Sequence, residues 1–195
     1  MNIPDLLVLE GERIRIESLQ SHHIPEMWDD SLSEEVWRYL PNHFRTTQAM
    51  QEIYSASLKS KELGLEHPFV VYDKQLQQYV GSTRFLNISL ESRNLEIGWT
   101  WYLPMVWRTR VNTETKYLLL KYGFDELQLL RVQLKADTRN TRSNEAIERI
   151  GAVREGMLRK DRIMHDGYVR NSYIYSIVRE EWPGVQERFE QVLLR

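Results

Sequence analysis

Cysteine is missing from all 195 residues, so the chain can form no disulfide, no thiolate metal site and no cysteinyl intermediate. Its absence also fits a reducing compartment. No apolar run approaches the roughly 20 residues that cross a bilayer, and residues 1–10 have neither a basic start nor a long apolar stretch. A membrane span and a signal peptide are therefore not expected, and a cytoplasmic location is. Internal repeats, low-complexity tracts and Gly/Ser-rich linkers are lacking too. What remains is a chain with 42% apolar residues, enough to bury a sizeable core, and a single domain over residues 1–195 is the default.

The five histidines show no metal-ligand spacing. His22 and His23 are adjacent, and side chains one residue apart on a helix point away from each other. His43, His67 and His165 are isolated and expected in loops or at the surface, so no metal site is expected. A net charge of −2 conceals an asymmetry. Residues 1–103 hold 9 Lys and Arg against 15 Asp and Glu, whereas residues 104–170 hold 14 against 9. A basic half suits an anionic ligand and an acidic half a cationic one, although scattered solvated charge gives the same count. No Lys/Arg tract is clustered enough to indicate nucleic acid.

Arg13–Glu17 alternates charged and apolar residues and reads as a strand. Helical stretches follow over Ser21–Trp28 and Glu34–Tyr39, with a break at Pro41. Thr46 or Thr47 caps a longer helix through about Leu63, stopped by Gly64. His67–Asp73 and Tyr79–Ser89 read as a hairpin, and Asn94–Leu103 as a further strand ending at Pro104. Val111–Leu127 has helical apolar spacing, Leu130–Ala136 reads as a strand, and Thr141–Ile150 as a helix closed by Gly151. Ala152–Met157 and Tyr168–Val178 are strands joined across Asp166-Gly167, and a helix near Glu187–Leu194 follows. Antiparallel strands followed by a strand–helix–strand unit predict an α/β (α+β) fold with a mixed central sheet and helices on its faces.

Two segments carry candidate chemistry. The first runs from the strand Glu96–Leu103 through Met105–Arg110 into the helix at Val111. A helix start presents free N–H groups and a positive dipole end, and Arg108 and Arg110 precede it, which suits a pyrophosphate. Many helices begin after arginine-bearing loops with no ligand, so spacing alone leaves both readings open. The second is Asp137–Gly151, where Asn140 and Ser143 at a helix start can either cap the backbone or reach a ligand.

Glu96-Ile97-Gly98-Trp99, Trp107–Glu114, Thr138–Gly151, Arg154–Arg159, Asp166–Arg170 and Tyr175-Ser176-Ile177 together resemble GNAT acetyltransferases of the RimJ/RimL-like group. The match covers most of residues 8–183. Its most specific part is the Asn-x-x-Ser helix start followed by Ile-Glu-Arg-x-Gly and Glu-Gly-x-Leu-Arg. The resemblance implies a GNAT fold with splayed central strands, and acetyl-CoA as cosubstrate. It implies a pantetheine arm lying against backbone groups of Trp99, Trp101 and Leu103, and a pyrophosphate on the amides of Arg108, Thr109, Arg110, Val111, Asn112 and Thr113. Asn140 and Ser143 would face the arm from the opposite wall. The family's Gln/Arg-x-x-Gly-x-Gly/Ala phosphate pattern is replaced here by Trp107, Arg110 and Asn112 at its three defining positions. The tyrosine that many members use to protonate the departing thiolate is replaced by Ile147, which leaves Ser143, another tyrosine or water for that role.

The activity so implied is direct transfer of an acetyl group to an uncharged primary amine, either a protein N-terminus or a small molecule. Glu96 is the candidate base, unless it is a surface charge paired with an arginine such as Arg93. Trp28, Trp37 and Tyr39 could line an acceptor pocket or belong to the core. A CoA-binding module without transferase activity is the alternative; an RNA- or protein-binding domain is a further one. The sequence leaves the oligomeric state open, a homodimer included.

Overall fold

The structure is a computed structural model and describes residues 3–27, 34–41 and 46–195. Among these residues the strands form one eight-stranded sheet. In chain order they are β1 (Val8–Glu10), β2 (Ile14–Ser18), β3 (Glu66–Asp73), β4 (Gln78–Ser89), β5 (Asn94–Tyr102), β6 (Arg131–Asp137), β7 (Val153–Ile163) and β8 (Val169–Val178). The helices are α1 (His23–Glu26), α2 (Glu34–Trp37), α3 (Thr47–Glu62), α4 (Val111–Lys121), α5 (Thr141–Arg149) and α6 (Trp182–Arg188). The order across the sheet is β1-β2-β3-β4-β5-β6-β8-β7.

Local chemistry explains most boundaries. In β2, Ile14, Ile16 and Ser18 are buried while Arg15 and Glu17 face out and pair at 2.8 Å. Period-two alternation of this kind puts one face of a strand into the core. Thr46 caps α3 by accepting the Ala49 N–H at 3.1 Å, and Gly64, at φ 71°, ends the helix in the left-handed region. Past Lys121 the α4 helix widens into a π-helical turn, Tyr122–Glu126, that buries Phe124.

Some elements differ from the sequence expectation. The short strand β1 is too brief to show a period, and it exists by pairing with β2 from Val8↔Glu17 to Glu10↔Arg15. The last helix starts at Trp182 rather than Glu187, anchored by an indole N–H donated to Asp125 Oδ1 at 2.9 Å. His67 is not a loop or surface residue: it lies in β3, 4% exposed, with Nε2 2.7 Å from Ser18 Oγ. The rings of His22 and His23 do not diverge; their centroids are 4.0 Å apart. Trp28 and His43 lie outside the described residues.

Two features of the sheet position the cleft described next. Between β4 and β5 the register shifts, so that Trp99 and Thr100 together oppose Thr83; this is a β-bulge. Between β5 and β6, the one parallel pair in the sheet, pairing runs only from Asn94↔Arg131 to Ile97↔Leu134. Beyond these residues the two strands diverge.

Candidate active site

A cleft of about 960 Å³ opens where β5 leaves β6. Gly98 to Tyr102 of β5 form one wall, Leu134 to Asp137 of β6 the facing one, and α5 contributes Asn140, Ser143 and Ile147. One end meets Trp107, Arg108, Thr109 and Asn112 at the start of α4. The other end is bounded by Glu35, Tyr39 and Leu40 beyond and within α2, and by Arg162 and Arg170.

The bulge holds Trp99 at φ 52°, in the left-handed region that bulky residues avoid. Such a backbone costs on the order of 1–3 kcal/mol and persists only where its surroundings impose it. Here they include the Arg84 guanidinium, 4.4 Å from the centre of the Trp99 ring. Trp101 is 4% exposed, with its indole N–H donated to Tyr54 Oη at 2.9 Å and its ring edge-on to Trp37 at 5.1 Å. Trp37 is therefore core, whereas Tyr39 lines the cleft.

Glu96 is 7% exposed and lines the cleft. It is not paired with Arg93. Its Oε2 accepts from Gln133 Nε2 at 2.9 Å and from Asn87 Nδ2 at 3.3 Å, with Lys135 Nζ 3.9 Å away.

At the α4 end, Thr109 donates to Val106 O at 2.7 Å and its Oγ1 caps the Val111 N–H at 3.3 Å. That leaves the first-turn N–H groups of Asn112 and Thr113 outside the helix's own ladder. Arg108 faces the cleft from a left-handed backbone, φ 61°. Arg110 does not face it. Its guanidinium turns away to Glu12 Oε2 at 2.8 Å and lies 3.7 Å from Glu114 Oε2. At φ −71° its backbone is helical, so the position needs no glycine, and its side chain leaves the cleft open. Glu114 in turn accepts from the N–H groups of Glu12 and Arg13, which docks the β1–β2 turn on α4.

One further expectation is corrected, and others are refined. Leu103 lies off the cleft wall, because its N–H donates to Val80 O at 2.8 Å and its carbonyl accepts from Val106 N at 3.1 Å. Val111 and Thr113 are buried at 0% and 1% exposure, and Thr113 Oγ1 accepts from Arg149 at 2.8 Å; their side chains turn from the cleft, and of their two N–H groups only that of Thr113 is left uncapped. Asn140 is the α5 cap, its Oδ1 accepting the Ser143 N–H at 3.1 Å. Both residues still line the cleft. Arg142 of α5 reaches over the Trp107 ring at 4.0 Å, which joins α5 to the segment ahead of α4.

Among the cleft residues that escaped the sequence reading, one stands out for its chemistry. Lys116 of α4 is 6% exposed, and its Nζ donates to Thr100 Oγ1 at 2.9 Å. Burial lowers its ammonium to about 7. It sits four residues after Asn112, on the same side of the helix, and that spacing is the one signal that could have found it.

With a sheet parted at a bulge above a helix start on view, comparison with known proteins gives the class, an acetyltransferase, and the family. The Acetyltransferase (GNAT) domain model matches residues 13–153, so this chain belongs to the GNAT acetyltransferases. YoaA of Bacillus subtilis, an uncharacterized N-acetyltransferase, is 26% identical over 175 residues, 88% of this chain and 97% of that protein. YdaF of the same organism, named as a candidate ribosomal N-acetyltransferase, is 32% identical over 129 residues, 66% of this chain and 65% of that protein. The crystal structure of a GCN5-related N-acetyltransferase from Brucella melitensis superposes with a TM-score of 0.88 at 25% identity, covering 97% of this chain and 86% of that one. The match to YdaF agrees with the RimJ/RimL-like resemblance read from the motifs. Among the described residues no group of His, Asp or Glu side chains could hold a metal, and no helix is long and apolar enough to cross a membrane.

Proposed function

We propose that this chain transfers the acetyl group of acetyl-CoA to a primary amine by direct attack in a ternary complex. The observation that carries this reading is the cleft between β5 and β6, walled by an imposed bulge and ending on the α4 start. In this reading the first-turn amides of α4 and the Arg108 side chain hold the pyrophosphate. The backbone of Trp99 and Trp101 pairs with the pantetheine amides, and Asn140 and Ser143 close the other side. A bulge N–H stabilises the charge that develops on the thioester oxygen; one such donor is worth about 3–4 kcal/mol in the barrier. Glu96 takes the proton from the attacking amine, directly or through water. Ser143, across the cleft, supplies the hydroxyl through which the leaving sulfur is protonated.

The acceptor enters from the α2 end. Glu35, Glu66, Glu96 and Asp137 line the cleft there beside Arg162 and Arg170, which suits a cationic amine that carries further polar groups. The name of YdaF favours a protein N-terminus over a free small molecule. The test is thermal unfolding with acetyl-CoA, with ATP as control, followed by thiol release on a panel of N-terminal peptides and small amines. At about one hundred times its dissociation constant, acetyl-CoA should stabilise the fold by roughly 2.7 kcal/mol. No shift at millimolar acetyl-CoA would sink the reading. A shift with no turnover on any amine would leave a CoA-binding module instead.

A further inference from the structure

Lys116 has no part in the transfer scheme above, yet it lines the cleft. Its side chain is 6% exposed, reaches the cleft from α4 and ends at the bulge, 2.9 Å from Thr100 Oγ1. Thr100 Oγ1 lies 2.8 Å from Thr83 Oγ1, so Lys116 meets a pair of hydroxyls rather than an acid. Among the described residues no carboxylate pairs with it; Glu96, the nearest acid on the same strand as Thr100, is engaged with Gln133, Asn87 and Lys135. A primary amine that donates one hydrogen bond and has no acid beside it keeps its lone pair free when neutral. Removal from water makes the neutral form common near neutral pH, the condition that activates lysine nucleophiles generally. Of the residues facing it, Ile147 is apolar and 6% exposed, and the other cleft lysine, Lys135, lies 3.9 Å from each of the carboxylates of Glu96 and Asp161.

Resting on the reading that this cleft holds acetyl-CoA, we propose that Lys116 is a self-acetylation site. With no acceptor amine present, Lys116 Nζ attacks the thioester carbonyl carbon. The Nζ–C bond forms, the C–S bond breaks, and the proton shed by Nζ ends on the departing sulfur, leaving acetyl-lysine and the free thiol of CoA. The product is an uncharged amide whose acetyl group occupies the place next to the bulge where the next donor's thioester would lie. Modification therefore closes the enzyme to further turnover, and a bound acceptor protects it by taking the acetyl group first.

The test uses the full chain with acetyl-CoA and no added amine, followed by intact mass and peptide mapping. In parallel, acetyl phosphate serves as a donor that needs no binding site. With acetyl-CoA one acetyl group per chain should accumulate at Lys116, at least tenfold faster than at the exposed Lys59 and Lys160. Excess CoA should suppress it. With acetyl phosphate the order should reverse, because Lys116 is buried. Lys116→Met should abolish the stoichiometric label while keeping the acetyl-CoA thermal shift, which shows that the variant is folded. A thermal shift with Lys116 unmodified overturns the inference and leaves the cofactor reading standing. The same distribution of label from both donors overturns it as well. No thermal shift at all removes the cofactor reading, and the inference with it.

Discussion

A carboxylate that accepts from two side-chain amides is held in one orientation, and Glu96 is in that position between Gln133 and Asn87. If it removes the proton of the incoming amine, Glu96→Gln keeps the shape and the hydrogen-bonding capacity but loses the base. Turnover should fall about 100-fold or more, within the range for general bases, while the acetyl-CoA thermal shift stays as in the parent protein. A loss of thermal shift alongside the loss of turnover would instead make Glu96 a structural residue. At this scale the sequence is a partial guide. Glu96, Asn140 and Ser143 stand in motifs specific enough to place them on the cleft wall, and they line it. Arg110 could not be placed that way, because the direction of its side chain depends on Glu12, 98 positions away. Leu103 was misjudged for a related reason: strand alternation says which face a side chain takes but not whether the N–H already has a partner at Val80. Lys116 was hidden among the apolar residues of its helix, whose periodicity signals burial and is silent on a cation buried with them.

The elements that matter most are β4 and β5, since their pairing slips by one residue along the strand that walls the cleft. Gly81 pairs with Tyr102 beside that slip. A Cβ there would stand 2.2 Å from the main-chain oxygen of Trp101, and backbone cannot step aside as a side-chain tip can. Gly81→Ala should therefore cost about 1–3 kcal/mol in urea unfolding, the usual range for an overpacked site. It should also weaken the acetyl-CoA thermal shift by moving Trp101 and Tyr102. Gly156→Ala is the control, because a Cβ there meets nothing within 4 Å, and it should change stability by less than about 0.5 kcal/mol. Equal effects from the two substitutions would mean that the β4–β5 contact does not govern the cleft. Element types were largely legible, because long periodic segments such as β2, α3 and α5 declare themselves by burial period and capping residues. The bulge was not, since it is a matter of register between strands, fixed by how Trp99 and Thr100 meet Thr83. It entered the sequence reading only through family resemblance. Nor was the length of β7, read as ending at Met157, which runs on to Ile163 by bulging at Lys160, φ 52°, against β8.

Across the whole molecule, burial of ionisable groups sets the response to acid. His67 is pushed down to about 4 by burial, with the nearby Lys61 adding to the effect, and His23 is lowered for the same leading reason. The unfolded chain protonates His67 near its ordinary value of 6.5, whereas the folded one does so only near 4. Between those values the unfolded state binds more protons, so stability is complete above about pH 6.5 and falls as the pH drops toward 4. From pH 7 to pH 5 the loss from His67 should be about 1–2 kcal/mol. Urea midpoints at the two pH values should show it, with a clearly smaller drop in His67→Gln; an unchanged drop would clear His67 of the effect. The overall architecture was readable from the order of strands and helices, but not the extent of contact between β5 and β6. Those two strands share four residue pairs, from Asn94↔Arg131 to Ile97↔Leu134, and they divide the sheet into two leaves, β1 to β5 and β6 to β8. The leaves are bound along the sheet by this short spine alone. Any molecule wedged beyond it braces one leaf against the other, adding to the side-chain ties that already cross between them, such as Arg142 over Trp107 and Arg149 to Thr113.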